Sequence, residues 1–239
     1  MLQKFPGYYK RIKGKVYENK YANRYITDAA FKTHITLYRS LTVNLLYAAT
    51  NAVSAIIYST NWFAIFAVYY AIMAVMRFLL VRYVNRKGIG KDRMGELERA
   101  RLCSCILMTV NLALSGIVLM MVYFEKGFEY QGMMIYVMAM YTFYITTVSV
   151  IDVFKYRKFH SPIMSVSNVI RLASALFSML LLETAMLSQF GQDSSPEIRR
   201  IMIMATGGGI SMIVITMSVY MIVQTTQEIK TIRINNSLT

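Results

Sequence analysis

Four ionisable side chains fall inside apolar stretches where charge is costly. Arg77 lies within "AVYYAIMAVMRFLLVRY", Asp152 ends "YTFYITTVSVID", and Arg171 and Glu183 share "SPIMSVSNVIRLASALFSMLLLETAMLSQ". Charges of this kind face protein or a water-filled cavity and mark solute paths, proton relays or buried pairs. Arg77, Asp152 and Arg171 are expected to meet in one half of the bilayer. One carboxylate cannot neutralise two guanidiniums, so one arginine must reach water or phosphate by snorkelling. Glu183 is expected at the depth of Gly207 to Gly209, with Thr206, Ser211 and Gln189 as polar neighbours. It reads either as a proton or cation site or as the partner of Arg199 or Arg200. Asn44 and Asn51, seven residues apart, share a helix face, and Asn111 sits in another apolar run. Interhelical hydrogen bonds of about 0.6 to 2 kcal/mol each explain them, and a polar pathway would use them equally well. Thr142, Thr146 and Ser149 add a polar stripe at helical spacing.

The elements that must position these residues are membrane helices. Of the 239 residues, 56% are hydrophobic, and there are 19 Met and only three Pro. Soluble domains are about 45 to 50% apolar. Six runs approach the roughly 20 residues needed to cross a bilayer: Leu41 to Tyr58, Trp62 to Val84, Leu102 to Phe124, Gly132 to Val153, Pro162 to Gln189 and Ile201 to Val223. An all-α integral bundle of six transmembrane helices follows, occupying residues 37–224 between a basic, Tyr-rich segment (1–36) and a short tail (225–239). The fifth span is the longest and most polar, which predicts a tilt or bend. Short outer connections make the chain read as three sequential hairpins.

Charge sets the expected orientation. Of the lysines and arginines in the tails, the connections and the span ends, 21 fall on the side of the termini and three on the other, so both termini are expected in the cytoplasm, with the plasma membrane as the expected location. The net charge of +14 is then explained by topology and by anionic lipid headgroups as partners, with no basic domain left for nucleic acid. The segment "GYYKRIKGKVYENKYANRYITDAAFKTHITLYRS" reads either as an interfacial segment on the inner leaflet or as a solvated tail.

Other features are expected to be structural. Cys103 and Cys105 point well apart on one helix and read as buried small apolar residues rather than a disulfide or metal site. The glycines of "ATGGGIS" (205–211) suit close helix packing, or a weakened helix presenting carbonyls to a ligand. No H-E-x-x-H, G-x-S-x-G, P-loop or paired-aspartate motif occurs, and the only histidines are His34 and His160. An enzyme is not expected, nor a cofactor.

Six spans, "LTVNLLYAATNAVSAIIYSTNWFAIFAVYY" across the first hairpin, "VRY" closing the second helix, "YRKFHSPIM" leading into the fifth and "MSVYMIVQTTQEIK" leaving the sixth resemble the membrane domain of the cation diffusion facilitator family, over residues 37 to 230. The resemblance implies a generally homodimeric metal/proton antiporter with Asp or His pairs on helices 2 and 5. Here those positions hold Phe66 and Tyr70, and Val169 and Ala173 or Ile170 and Ser174. No Asp, Glu or His occurs between Ile35 and Lys91 or between Ser161 and Leu182, and no metal-binding domain follows helix 6. The expected function is a secondary transporter of facilitator-like architecture without a divalent-metal site, taking an anion or organic solute, with Glu183 coupling a proton. The alternative is a non-transporting interaction or regulatory membrane protein.

Overall fold

The structure, a computed structural model, describes residues 29–58, 61–124, 134–156, 161–190 and 195–237. The segment 1–28, part of the expected interfacial tail, and His160 lie outside them. The described chain is all-helical: α1 Ala29–Tyr58, α2 Asn61–Lys87, α3 Arg93–Phe124, α4 Met134–Tyr156, α5 Pro162–Phe190 and α6 Pro196–Ser237. Five of these, all but α4, are long and apolar enough to cross a membrane.

The helix ends follow from local chemistry. Gly88 ends α2 with φ +76°, a left-handed conformation that suits glycine, and its N–H donates to Val84 O. Asp92 caps α3: its Oδ1 accepts from Gly95 N at 2.9 Å and its carbonyl accepts from Glu96 N at 3.0 Å. Ser161 and Ser195 precede Pro162 and Pro196, which begin α5 and α6 with φ preset and no N–H to satisfy. No Pro or Gly interrupts α6 after Gly209, and it runs on to Ser237.

The pairing of helices departs from three sequential hairpins. α1 packs on α2, α4 on α5, and α3 on α6; among the described residues α3 makes no packing contact with α4. The reason lies at the α3–α6 seam. A Cβ on Gly207 would stand 2.7 Å from Val118 Cγ1, so the two backbones approach as close as a missing side chain allows. Nearby, Ser115 Oγ donates to Ser211 Oγ at 2.9 Å, and Asn111 Nδ2 donates to the Ser211 carbonyl at 3.2 Å. Gly208 and Gly209 are exposed with open space around them, so only Gly207 serves packing.

Helix α5 is the axis of the bundle and touches each of the other five helices. Of its most apolar stretch 78% is buried, against 17% for α1 and α6. Central placement explains its polarity, because Ser174, Ser178 and Thr184 donate back to carbonyls of their own helix at 2.9 Å. The helix is unbroken from Pro162 to Phe190.

Cys103 is buried and Cys105 exposed, both as free thiols. Burial was expected of both. Two residues are about 200° around a helix, so a helix packed on one side can bury only one of them.

Candidate functional site

Two polar systems lie at different depths. The first is a collar at the α2–α3 end. His34 Nε2 shares a hydrogen bond with Asn85 Oδ1, and Asn85 Nδ2 donates to the Tyr38 hydroxyl at 2.6 Å, which ties α1 to α2. Lys87 pairs with Asp92, and Arg93 Nη2 with Glu228 Oε2 at 2.7 Å, which ties α3 to α6. The Tyr83 hydroxyl donates to the Asp92 carbonyl at 3.1 Å. Buried Glu96 accepts from Gly90 N and from Ser161 Oγ. The bonds from Lys87 and Gly95 hold the Asp92 carboxyl below its ordinary value of 3.8.

The second system is a narrow cleft among α1, α2, α4 and α5, with a cavity volume of about 30 Å³. Asn85 and Tyr38 fix the relative height of α1 and α2. Eight residues at 1.5 Å rise then put Arg77 about 12 Å deeper than the collar. Arg77 and Arg171 both line the cleft, 1% and 4% exposed, close enough for their charges to oppose one another. Arg77 Nε and Nη1 are buried and meet no hydrogen-bond acceptor among the described residues. Arg171 Nη2 donates to Asn168 Oδ1, one turn back on α5, at 2.8 Å. Asn44 also lines the cleft, 2% exposed, with its Nδ2 unmatched among the described residues. Exposed Arg39 reaches the same cleft from nearer the collar.

Donors therefore dominate this wall, and no carboxylate stands among the described lining side chains. A guanidinium has five N–H donors in a planar fork and no acceptor, a geometry that fits a carboxylate or phosphate. Burying such a group without a partner costs several kcal/mol. The guanidiniums make the described wall electropositive, so it suits a small anionic group better than a cation.

The inner wall is aromatic. Tyr47 of α1 stacks on Tyr70 of α2 with centroids 4.9 Å apart, and the Tyr70 hydroxyl shares a 2.7 Å hydrogen bond with Ser178 of α5. Phe177 packs against Phe66, Tyr69 and Tyr70 at 5.8, 4.1 and 5.9 Å. Phe66 and Tyr70, where the family resemblance would put metal ligands, thus join α2 to α5 through ring packing. Among the described residues no cluster of three metal-ligating acids, histidines or cysteines occurs.

The sequence-predicted residues divide between places. Arg77, Arg171 and Asn44 come together in the cleft. The backbone of Asp152 lies in α4, and its side chain lies outside the described residues. Half-buried Glu183 sits elsewhere, where its Oε1 accepts from Thr206 Oγ1 at 3.0 Å. Thr206 is the neighbour expected, whereas Ser211 turns to α3. Asn51 donates to Tyr47 O of its own helix at 2.8 Å, and Asn111 belongs to the α3–α6 seam. Sequence reasoning missed Arg39, Tyr47 and Ser178. A signal existed: Arg39, Val43 and Tyr47, and Ser40 and Asn44, recur at four-residue spacing along one side of α1.

Comparison of the chain with family models, with curated proteins and with solved structures returns no match, so the chemistry of the site rests on its own geometry.

Proposed function

We propose that this protein is an integral membrane protein of six spans with both termini in the cytoplasm of a plasma membrane, and that it moves a small anionic solute held in the α1/α2/α4/α5 cleft. The observation that carries the proposal is Arg77: nearly inaccessible, beside a second guanidinium, with two donor nitrogens unmatched among the described residues. A buried arginine serving only structure would be bonded within the fold, because an orphaned charge in a low-dielectric interior is strongly destabilising. An anion from outside the chain supplies the missing acceptors. In this reading a bundle of facilitator-like architecture has aromatic rings where metal ligands would stand and guanidiniums nearer the inner leaflet. Glu183 and Thr206 are the proton-coupling pair, and homodimerisation follows the same likeness.

A second reading has a specific observation behind it. The ring cluster of Phe66, Tyr69, Tyr70 and Phe177 stands beside the cleft, and a plug that does not open would leave a receptor that binds without transporting. Flux in proteoliposomes separates the two. Purified protein is reconstituted beside Arg77→Ala and Glu183→Ala, and uptake of a panel of anions is followed with and without a proton gradient. Uptake by the parent that is lost in Arg77→Ala supports transport. Anion binding without flux supports the receptor, and neither binding nor flux rejects both.

A further inference from the structure

The cleft has a side as well as a mouth. α1 and α4 both contribute to its wall, through Val43 and Ile145, yet among the described residues these two helices do not pack against each other. The floor is made by α2 and α5. On either side of the gap the outward faces are apolar: Leu45 and Leu46 on α1, Phe143 and Tyr144 on α4, all at least half exposed. Such faces belong against acyl chains, so the gap between them opens towards hydrocarbon.

The donors are graded with depth. Arg39 is exposed near the collar, Asn44 lies about 8 Å further in by helical rise, and Arg77 follows at about 12 Å below Asn85. A soluble ion needs a path from water alone. A row of donors running inward beside a lateral apolar gap instead fits an amphiphile, whose anionic head follows the donors while its tail stays in the bilayer.

We infer that the cleft takes a phosphate ester, and that its source is a lipid headgroup admitted sideways between α1 and α4. This rests on the reading of Arg77 as an anion ligand. The phosphate oxygens accept from Arg77 Nε and Nη1 and from Asn44 Nδ2, Arg39 meets the head on its way in, and the acyl chains leave past Val43 and Ile145.

The test uses the purified full chain in a non-ionic detergent, titrated separately with phosphatidylglycerol, glycerophosphate and inorganic phosphate. Protection against thermal unfolding is read alongside lipid adducts in native mass spectra. Two variants are compared with the parent: Arg77→Gln, which removes the fork, and Ile145→Trp, which narrows the gap without touching the donors. Phosphatidylglycerol is expected to bind the parent, to bind Arg77→Gln about thirtyfold more weakly or worse, and to bind Ile145→Trp more weakly while inorganic phosphate binds parent and Ile145→Trp alike. Protection by glycerophosphate equal to that by lipid, with Ile145→Trp unchanged, overturns the lateral route and leaves the anion site standing as one for a free solute. No protection of the parent by any of the three overturns the anion site itself. Should Arg77→Gln not fold, equal lipid binding by the parent and Ile145→Trp is sufficient to overturn the inference.

Discussion

At the collar, Lys87 meets Asp92 and Arg93 meets Glu228; about 12 Å deeper, Arg77 offers two donor nitrogens, Nε and Nη1, to no acceptor among the described residues. The contrast runs against energetic need. The collar cations are about half exposed, with side chains 57% and 48% accessible, and pairs of that kind contribute at most about 1 kcal/mol. The deeper charges are the ones for which a partner would matter, yet among the described residues Arg77 Nε and Nη1 meet none. Two exposed collar cations are thus paired where pairing contributes little, while the buried Arg77 meets no acceptor among the described residues where one would contribute most. The proposed anion from outside the chain would account for that inversion.

The largest effect that could break this contrast is on anion handling. Arg77→Ala should reduce anion uptake or binding by about thirtyfold or more, while Lys87→Ala in the collar leaves it within about twofold. Equal losses in the two variants would erase the difference between the regions. Next in size is the wall beside the cleft. Phe177→Ala removes a ring shared by Phe66, Tyr69 and Tyr70 and should cost about 3 kcal/mol of stability in detergent unfolding. If the ring cluster is a gate, the same variant also raises passive anion leak in proteoliposomes.

Smaller still is the seam that shapes the bundle away from the cleft. Gly207→Ala forces a Cβ against Val118 Cγ1 and should cost about 1 to 3 kcal/mol. Gly208→Ala points into open space and should lie within about 0.5 kcal/mol of the parent. The smallest effect is the pH response of the collar. Asp92 is held below its ordinary 3.8, so its stabilisation is fully present above that value and is lost as pH falls through the depressed folded-state value. Asp92→Asn should flatten this acid limb of a stability–pH curve without altering anion binding near neutrality.

Much of this architecture was legible before any coordinates. Apolar runs located the helices, five of which are long and apolar enough to cross a membrane. Capping rather than hydropathy sets the start of α3, which Asp92 places at Arg93, well ahead of the apolar run that begins at Leu102. Capping residues such as Asp92 and the Ser-Pro pairs were readable, but hydropathy does not weigh them. Helix partners were not readable. α3 chooses α6 through Gly207, Ser115 and Ser211, a match visible only once both faces are known. Of the site, Arg77, Arg171 and Asn44 stood out because a buried polar group in an apolar run is conspicuous. Arg39 did not, because it adjoins a basic segment and was counted with it. Glu183 was conspicuous for the same reason as Arg77, yet it bonds Thr206 away from the cleft; depth in a sequence says nothing about the side of a helix on which a neighbour stands.

The most direct measurement is the thermal unfolding of the parent and Arg77→Met in detergent, each with and without a saturating phosphate-bearing ligand. If Arg77 is kept unmatched in order to hold an anion, removing its charge stabilises the ligand-free protein by about 1 to 4 kcal/mol. The parent then gains stability on adding ligand, about 2.7 kcal/mol at a hundred times its dissociation constant, and Arg77→Met gains none. A ligand-free Arg77→Met that is less stable than the parent, together with an undiminished response to the ligand, would show that Arg77 serves the fold and that the cleft is not an anion site.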